Sequence, residues 1–199
     1  QSQAHVRLDG KLGNATWWFS AGHATKRISP PGIPPVTYMN HRFYQTDTYL
    51  LGWNQTWSST FSTELRVHRM RHQIGGGPSS ILALAVQDPG WNQEYTWGDL
   101  TNDQIDLQAN WNPTAKLHFV FGADTRRMDA ERDLTHGLTE PLRETASGAF
   151  ASLDWDTRSD MTLSLGFRVE NETLGGSRMS PRAAFLWRPT PTSVLRLAY

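Results

Sequence analysis

The chain has 199 residues; nineteen Lys and Arg balance nineteen Asp and Glu, and cysteine is absent. The even charge removes the basic footprint of a nucleic-acid binder, and the missing cysteines remove disulfides, thiol nucleophiles and thiolate metal sites. No run approaches the ~18 apolar residues of a membrane helix, while the negative mean hydropathy suits a soluble protein and a membrane barrel with a polar lumen equally.

Gln1-Ser2-Gln3 opens the chain without a charged-then-apolar signal region and reads as the middle of a longer protein. Val6, Leu8 and Leu12 alternate with Arg7, Asp9 and Lys11, and after Gly13-Asn14-Ala15 a second run sets Trp17, Phe19 and Ala21 against Ser20 and Gly22. A period of two makes a two-faced strand, so this pair predicts a hairpin. Residues Lys26 to Asn40 hold Pro-Pro-Gly-Ile-Pro-Pro, which cannot donate a regular ladder, and are expected to be loop. Tyr49, Leu51, Trp53 and Trp57 then share one face, Ser58-Ser59 turns, and Phe61, Thr63, Leu65 and Val67 return against Glu64, Arg66, His68 and Met70. Gln73 to Leu100 reads as the longest loop, ending in an aromatic, acidic patch. Ile105, Leu107, Ala109 and Trp111 alternate with Asp106, Gln108 and Asn110, and Pro113-Thr114 leads to Leu117, Phe119, Phe121 and Ala123. Asp129 to Leu142 is charged and reads as loop before Ala149, Ala151, Leu153 and Trp155. Residues 156–160 are expected to turn into Met161, Leu163, Leu165, Phe167 and Val169; two further strands carry Ala183, Phe185 and Trp187, then Leu195, Leu197 and Tyr199.

The reading is all-β, about ten strands in an antiparallel up-and-down meander, with short turns near 14, 58, 113, 158 and 190 and mostly long loops between. A meander sends alternate connections to opposite ends, so the short turns share one rim and the long loops the other. Trp17, Trp57, Trp111, Trp155 and Trp187 each lie near a short turn on the apolar face of a strand. Indole is favoured at lipid headgroups because its ring is apolar while its N–H still reaches a partner, so the five predict an interfacial girdle.

Chemistry-bearing patterns are few. His68 and His72 stand about 13 Å apart on a strand, too far to share an ion. The Gly75-Gly76-Gly77 run lacks the Gly-Lys-Ser/Thr of a phosphate loop, and neither Gly-x-Ser-x-Gly nor His-Glu-x-x-His occurs. The expectation is a protein that is not an enzyme, without metal or cofactor.

The stretch from Leu165-Gly166-Phe167-Arg168-Val169-Glu170, through Ser180-Pro181-Arg182, an aromatic strand and a Pro-Thr turn, to a strand ending in Tyr199 resembles the barrel of TonB-dependent outer-membrane receptors. In that family a glycine and a Phe-Arg-x-Pro group follow, whereas this chain stops at Tyr199. The resemblance implies that residues 1–199 are part of a transmembrane β-barrel of about 22 strands, with the plug domain, its coupling box and the C-terminal strands absent. It implies an active transporter in the bacterial outer membrane, energised by TonB through the missing plug. Its ligand would be a scarce one, such as a ferric siderophore, haem or cobalamin.

Arg66, Asp124, Arg126, Arg168, Glu170, Arg182, Arg188 and Arg196 fall on the non-apolar faces and would point into the lumen, cross-linking it or meeting the plug or an anionic ligand. Asp88, Trp91, Glu94, Tyr95 and Trp97 in the long loop are candidate ligand contacts, since exposed aromatic rings recur at binding sites. A passive outer-membrane porin and a soluble carbohydrate-binding β-protein are the alternatives; an upstream plug separates the first, and partitioning into buffer the second.

Overall fold

The structure, a computed structural model, describes residues 1–28, 42–76, 95–133 and 141–199. Ten strands follow one another: β1 (Ser2–Leu12), β2 (Ala15–Ile28), β3 (Arg42–Thr56), β4 (Phe61–Gly76), β5 (Tyr95–Thr114), β6 (Leu117–Asp133), β7 (Leu142–Arg158), β8 (Met161–Glu172), β9 (Gly176–Thr190) and β10 (Ser193–Ala198). They form a single antiparallel sheet in chain order, the predicted meander.

The strands run further toward the long-loop end than the hydropathy pattern indicates. β2 continues through Ile28, β4 through Gly76 and β6 through Asp133, while β3 starts at Arg42 and β5 at Tyr95. The expected loops at Lys26 to Asn40, Gln73 to Leu100 and Asp129 to Leu142 are therefore shorter. Polar and glycine residues continue the ladder because pairing satisfies the backbone whatever the side chain: Gly75 opposes Thr96, Gly76 opposes Tyr95 and Asp129 opposes Arg143. At the other rim the turn expected at Pro113-Thr114 falls at Ala115-Lys116, and β7 runs to Arg158.

One face of this sheet is apolar, and no described residue outside the sheet packs on it. Among the described residues the buried hydrophobic ones are Ala15, Ala109 and Ala146, and no large side chain is fully buried. Leu51, Ile105, Leu107, Phe121, Leu165 and Phe167 are all exposed. A sandwich would bury such a row against a second sheet; here the described residues provide no second layer.

Glycines sit where aromatic rings lie across the sheet. A Cβ on Gly52 of β3 would collide with the Trp18 indole of β2, and one on Gly122 of β6 would meet the Phe150 ring of β7 at 2.8 Å. Gly13 serves the first hairpin differently: its φ of 58° is the left-handed conformation that glycine adopts without strain, and nothing crowds its Cα. In the full-length protein, Gly52→Val should therefore cost about 1–3 kcal/mol through overpacking against Trp18, while Gly13→Asn, which tolerates that φ, should cost under about 1 kcal/mol. Urea unfolding in detergent checks both; equal costs would remove the ring contact as the reason for Gly52.

Candidate functional site

The polar face is built from the even-numbered positions of β2 to β10, and all eight predicted polar residues fall on it. At its centre Arg168 on β8 reaches past β7 to β6, donating Nη1 to Asp124 Oδ2 at 2.7 Å and Nη2 to Asp124 Oδ1 at 2.9 Å. The same Nη2 also donates to Glu170 Oε1 at 3.0 Å. The reach is possible because Gly148 occupies the position between: a Cβ there would lie 2.6 Å from Arg168 Nη2. Asp124 and Glu170 thus share one guanidinium, and the bidentate fork fixes its orientation. On β4, Arg66 donates Nε to Glu64 Oε1 at 2.7 Å.

Arg126, Arg182, Arg188 and Arg196 make no ion pair with any described residue. Arg182 crosses the bare backbone of Gly166, where a Cβ would meet its Nε. With Arg196, Ser152, Asp154, Thr162 and Ser164 it lines a recess of about 450 Å³ toward the short-turn rim of β7 to β10. Two guanidinium groups and one carboxylate leave that recess cationic. His68 and His72 stay separate, His72 sharing a hydrogen bond with Thr46 at 2.8 Å, and no cluster of His, Asp or Glu suited to a metal ion occurs among the described residues.

The apolar face carries the five turn-proximal tryptophans, while Trp18 lies on the polar face over Gly52. Trp17 covers Gly10, the Trp57 indole N–H donates to Thr63 Oγ1 at 2.9 Å, and that of Trp187 donates to Asp160 Oδ2 at 3.2 Å. Trp111 stacks on Phe119 with ring centroids 5.2 Å apart, and Trp155 opposes Leu117 and Leu163. The hydrogen-bonded row through Trp17 runs by way of Trp53, Leu65, Leu107, Ala123, Ala149 and Val169 to Met179 on β9, yet the girdle residue of β9 is Trp187, eight residues further along. Eight residues over seven strand steps, at ~3.3 Å per residue and ~4.8 Å per step, is a tilt of roughly 38° between the tryptophan line and the rows. That lies within the ~35–45° strand tilt that closing a sheet into a barrel requires.

Of the predicted loop cluster, Asp88, Trp91 and Glu94 lie outside the described residues. Tyr95 and Trp97 belong to the backbone of β5, with Trp97 at a register shift between Ile74 and Gly75 of β4. The sequence reading missed a set of charged side chains on the apolar face. Arg69, Arg71, Asp99, Asp103, Arg127, Asp129 and Arg143 share strand parity with Val67, Ile105 and Ala123 at the long-loop end. The signal was the unbroken alternation from Val67 to Arg69 and from Ile105 back to Asp103.

The central polar cluster makes a measurable claim. In a double-mutant cycle of Asp124→Asn and Arg168→Gln on the full-length protein, the coupling energy should be ~1 kcal/mol, as suits a bidentate but partly solvated pair. Coupling indistinguishable from zero in detergent unfolding would leave the cluster without a structural role.

Many solved structures share this fold. A mutant of the ferric enterobactin receptor of Pseudomonas aeruginosa superposes with a TM-score of 0.76 at 13% identity over 98% of this chain and 32% of its own. The siderophore receptor PirA of the same organism gives 0.74 at 12% identity over 98% and 32%. The FrpB iron transporter of Neisseria meningitidis gives 0.76 at 10% identity over 98% and 35%. The chain spans about a third of the length of each, and a comparison with curated proteins finds no match. Residues 4–199 match the TonB dependent receptor-like β-barrel family, and the single antiparallel meander agrees with that match. The chain belongs to the TonB-dependent receptors, and its ten strands are part of their barrel.

Proposed function

We propose that this chain is barrel wall of an outer-membrane receptor that imports a scarce ligand, in the class of ferric siderophores, haem or cobalamin, with energy delivered by TonB through a plug domain. The observation that carries the reading is the uncovered apolar face: ten strands bury only small side chains, so the row of large ones needs lipid to cover it. The names of the structural relatives, receptors for ferric enterobactin and siderophores and an iron transporter, support the ligand class. Family membership favours the receptor over a passive porin, and the uncovered apolar face disfavours a soluble carbohydrate-binding protein.

In this reading the apolar face meets the bilayer, with the five tryptophans at the interface nearer the short turns. The polar face lines the lumen. Arg168, held between Asp124 and Glu170, stiffens the wall, whereas Arg126, Arg182, Arg188 and Arg196 keep donors for groups supplied from inside the barrel, whether plug carboxylates or an anionic ligand. The cluster of Asp88, Trp91, Glu94, Tyr95 and Trp97 is proposed to contact the incoming ligand. The backbone of Tyr95 and Trp97 belongs to the start of β5.

Strand parity tests the membrane assignment. Leu107→Arg on the apolar face should cost ~2–4 kcal/mol in the lipid-folded receptor, whereas Gln108→Arg, one residue on and opposite Glu64, should cost under about 1 kcal/mol. Equal tolerance on both faces would overturn the orientation. For function, cells producing the intact receptor should accumulate an iron-loaded siderophore only when TonB is present. Changing Trp91, Tyr95 and Trp97 together to alanine should weaken ligand binding by at least ~10-fold while heat-modifiable barrel migration persists. Unchanged affinity in an intact barrel would remove these residues from the binding site.

A further inference from the structure

The arginines of the apolar face sit just beyond the apolar band at its long-loop end. Arg69 follows Val67 on β4, Asp103 precedes Ile105 on β5, and Arg127 follows Thr125 on β6. Two register rows cross the sheet here: Arg69 to Asp103 to Arg127, and Asp47 to Arg71 to Thr101 to Asp129 to Arg143. Ion pairs link them. Arg71 donates Nε and Nη2 to Asp99, Arg69 Nε stands 3.6 Å from Asp103 Oδ1, and Asp129 takes both Arg127 Nε at 2.8 Å and Arg143 Nε at 3.2 Å.

The two charges of each pair are not equally presented. The carboxylates of Asp99 and Asp129 are 15% and 24% exposed, while the guanidinium side chains of Arg71, Arg127 and Arg143 over them are 50%, 55% and 71% exposed, and Arg69 is 61% exposed against 42% for Asp103. The acidic groups lie beneath and the basic groups outermost. With Asp47 opposite Arg71, the four arginines match four aspartates in number, but Asp47 too is only 23% exposed, so the outermost charge is positive, and an arginine already bound to a carboxylate still has donors among its five N–H groups.

We propose that Arg69, Arg71, Arg127 and Arg143 form a binding surface for the phosphate groups of lipid headgroups in the leaflet at the long-loop end. The inference rests on the membrane reading given above: this face continues the lipid-covered band, so the layer against the arginines is the headgroup layer. Charge complementarity then selects phosphate-bearing lipids. The planar guanidinium fork matches two phosphate oxygens at once, and the aspartates beneath hold each side chain upright at the right height. Every cation of the two rows is arginine. The belt would order phosphorylated lipid around β4 to β7 and hold the barrel at a defined depth.

The test uses the full-length receptor reconstituted into vesicles of phosphatidylcholine containing a minor fraction of either spin-labelled phosphatidic acid or spin-labelled neutral diacylglycerol. Wild type should immobilise the phosphatidic acid at least ~5-fold more than the neutral lipid, a selectivity that salt weakens. Arg127→Gln/Arg143→Gln should remove most of it, Arg127→Lys/Arg143→Lys should keep part, and the quadruple change to glutamine should abolish it, with heat-modifiable migration retained. Should the quadruple variant fail to fold, the Arg127/Arg143 pair carries the same readout. Equal immobilisation of both lipids by wild type, or selectivity unchanged in the folded glutamine variants, would overturn the proposal. So would its removal by inorganic phosphate alone at matched ionic strength, which would assign the arginines to a free anion. A wild type that does not enter vesicles at all would instead overturn the membrane reading.

Discussion

The register of inter-strand hydrogen bonds is the constraint on which this architecture depends. In a single layer of ten strands the backbone of the inner strands is satisfied sideways, by the strands next to them, while β1 and β10 each pair along one edge, and no side chain is needed to complete a core. This leaves both faces open to whatever surrounds them. Since every side chain on a strand belongs to one face or the other, a slip of one residue between neighbours would send the whole apolar row to the polar side. The rows found here keep Phe19, Leu51, Val67 and Ile105 together on one face over four strands, and Trp111, Phe119, Leu153 and Leu165 on the same face further along.

Closure adds a second requirement, visible as the drift of the tryptophans across those rows. A flat ribbon would keep its aromatic edge along one row. Here the edge advances about one residue per strand, as strands inclined to a barrel axis do. Inclination and twist bring side chains of adjacent strands close, and glycines at positions 52, 122 and 148 make room for Trp18, Phe150 and Arg168. The ring-over-glycine contacts thus follow from the same geometry that tilts the girdle.

The two faces use charge differently. On the polar face Arg168 is consumed between two carboxylates, whereas Arg126, Arg182, Arg188 and Arg196 have none among the described residues, leaving a wall that is braced in its middle and receptive elsewhere. On the apolar face the charges are confined to the long-loop end, beyond Val67 and Ile105, where they border the apolar band instead of interrupting it. Ion pairs there shield the aspartates and leave arginine outermost, which gives that end a chemistry distinct from the tryptophan edge.

Much of this was legible in the sequence because a strand's side-chain period is local. Alternation identified the ten strands, their faces and the tryptophans of one rim, and the motifs between Leu165 and Tyr199 pointed to the family. All eight polar-face residues followed from parity alone. Strand ends did not: Gly75, Gly76 and Asp129 to Asp133 are glycine-rich or charged and read as loop, yet the neighbouring strands supply backbone partners there. Nor could the sequence distinguish Arg168, bound to Asp124 forty-four residues away, from Arg182, which has no such partner among the described residues, because that difference arises across strands at Gly148. Alternation determines which side of its own strand a residue occupies; only the register between strands decides which charges meet.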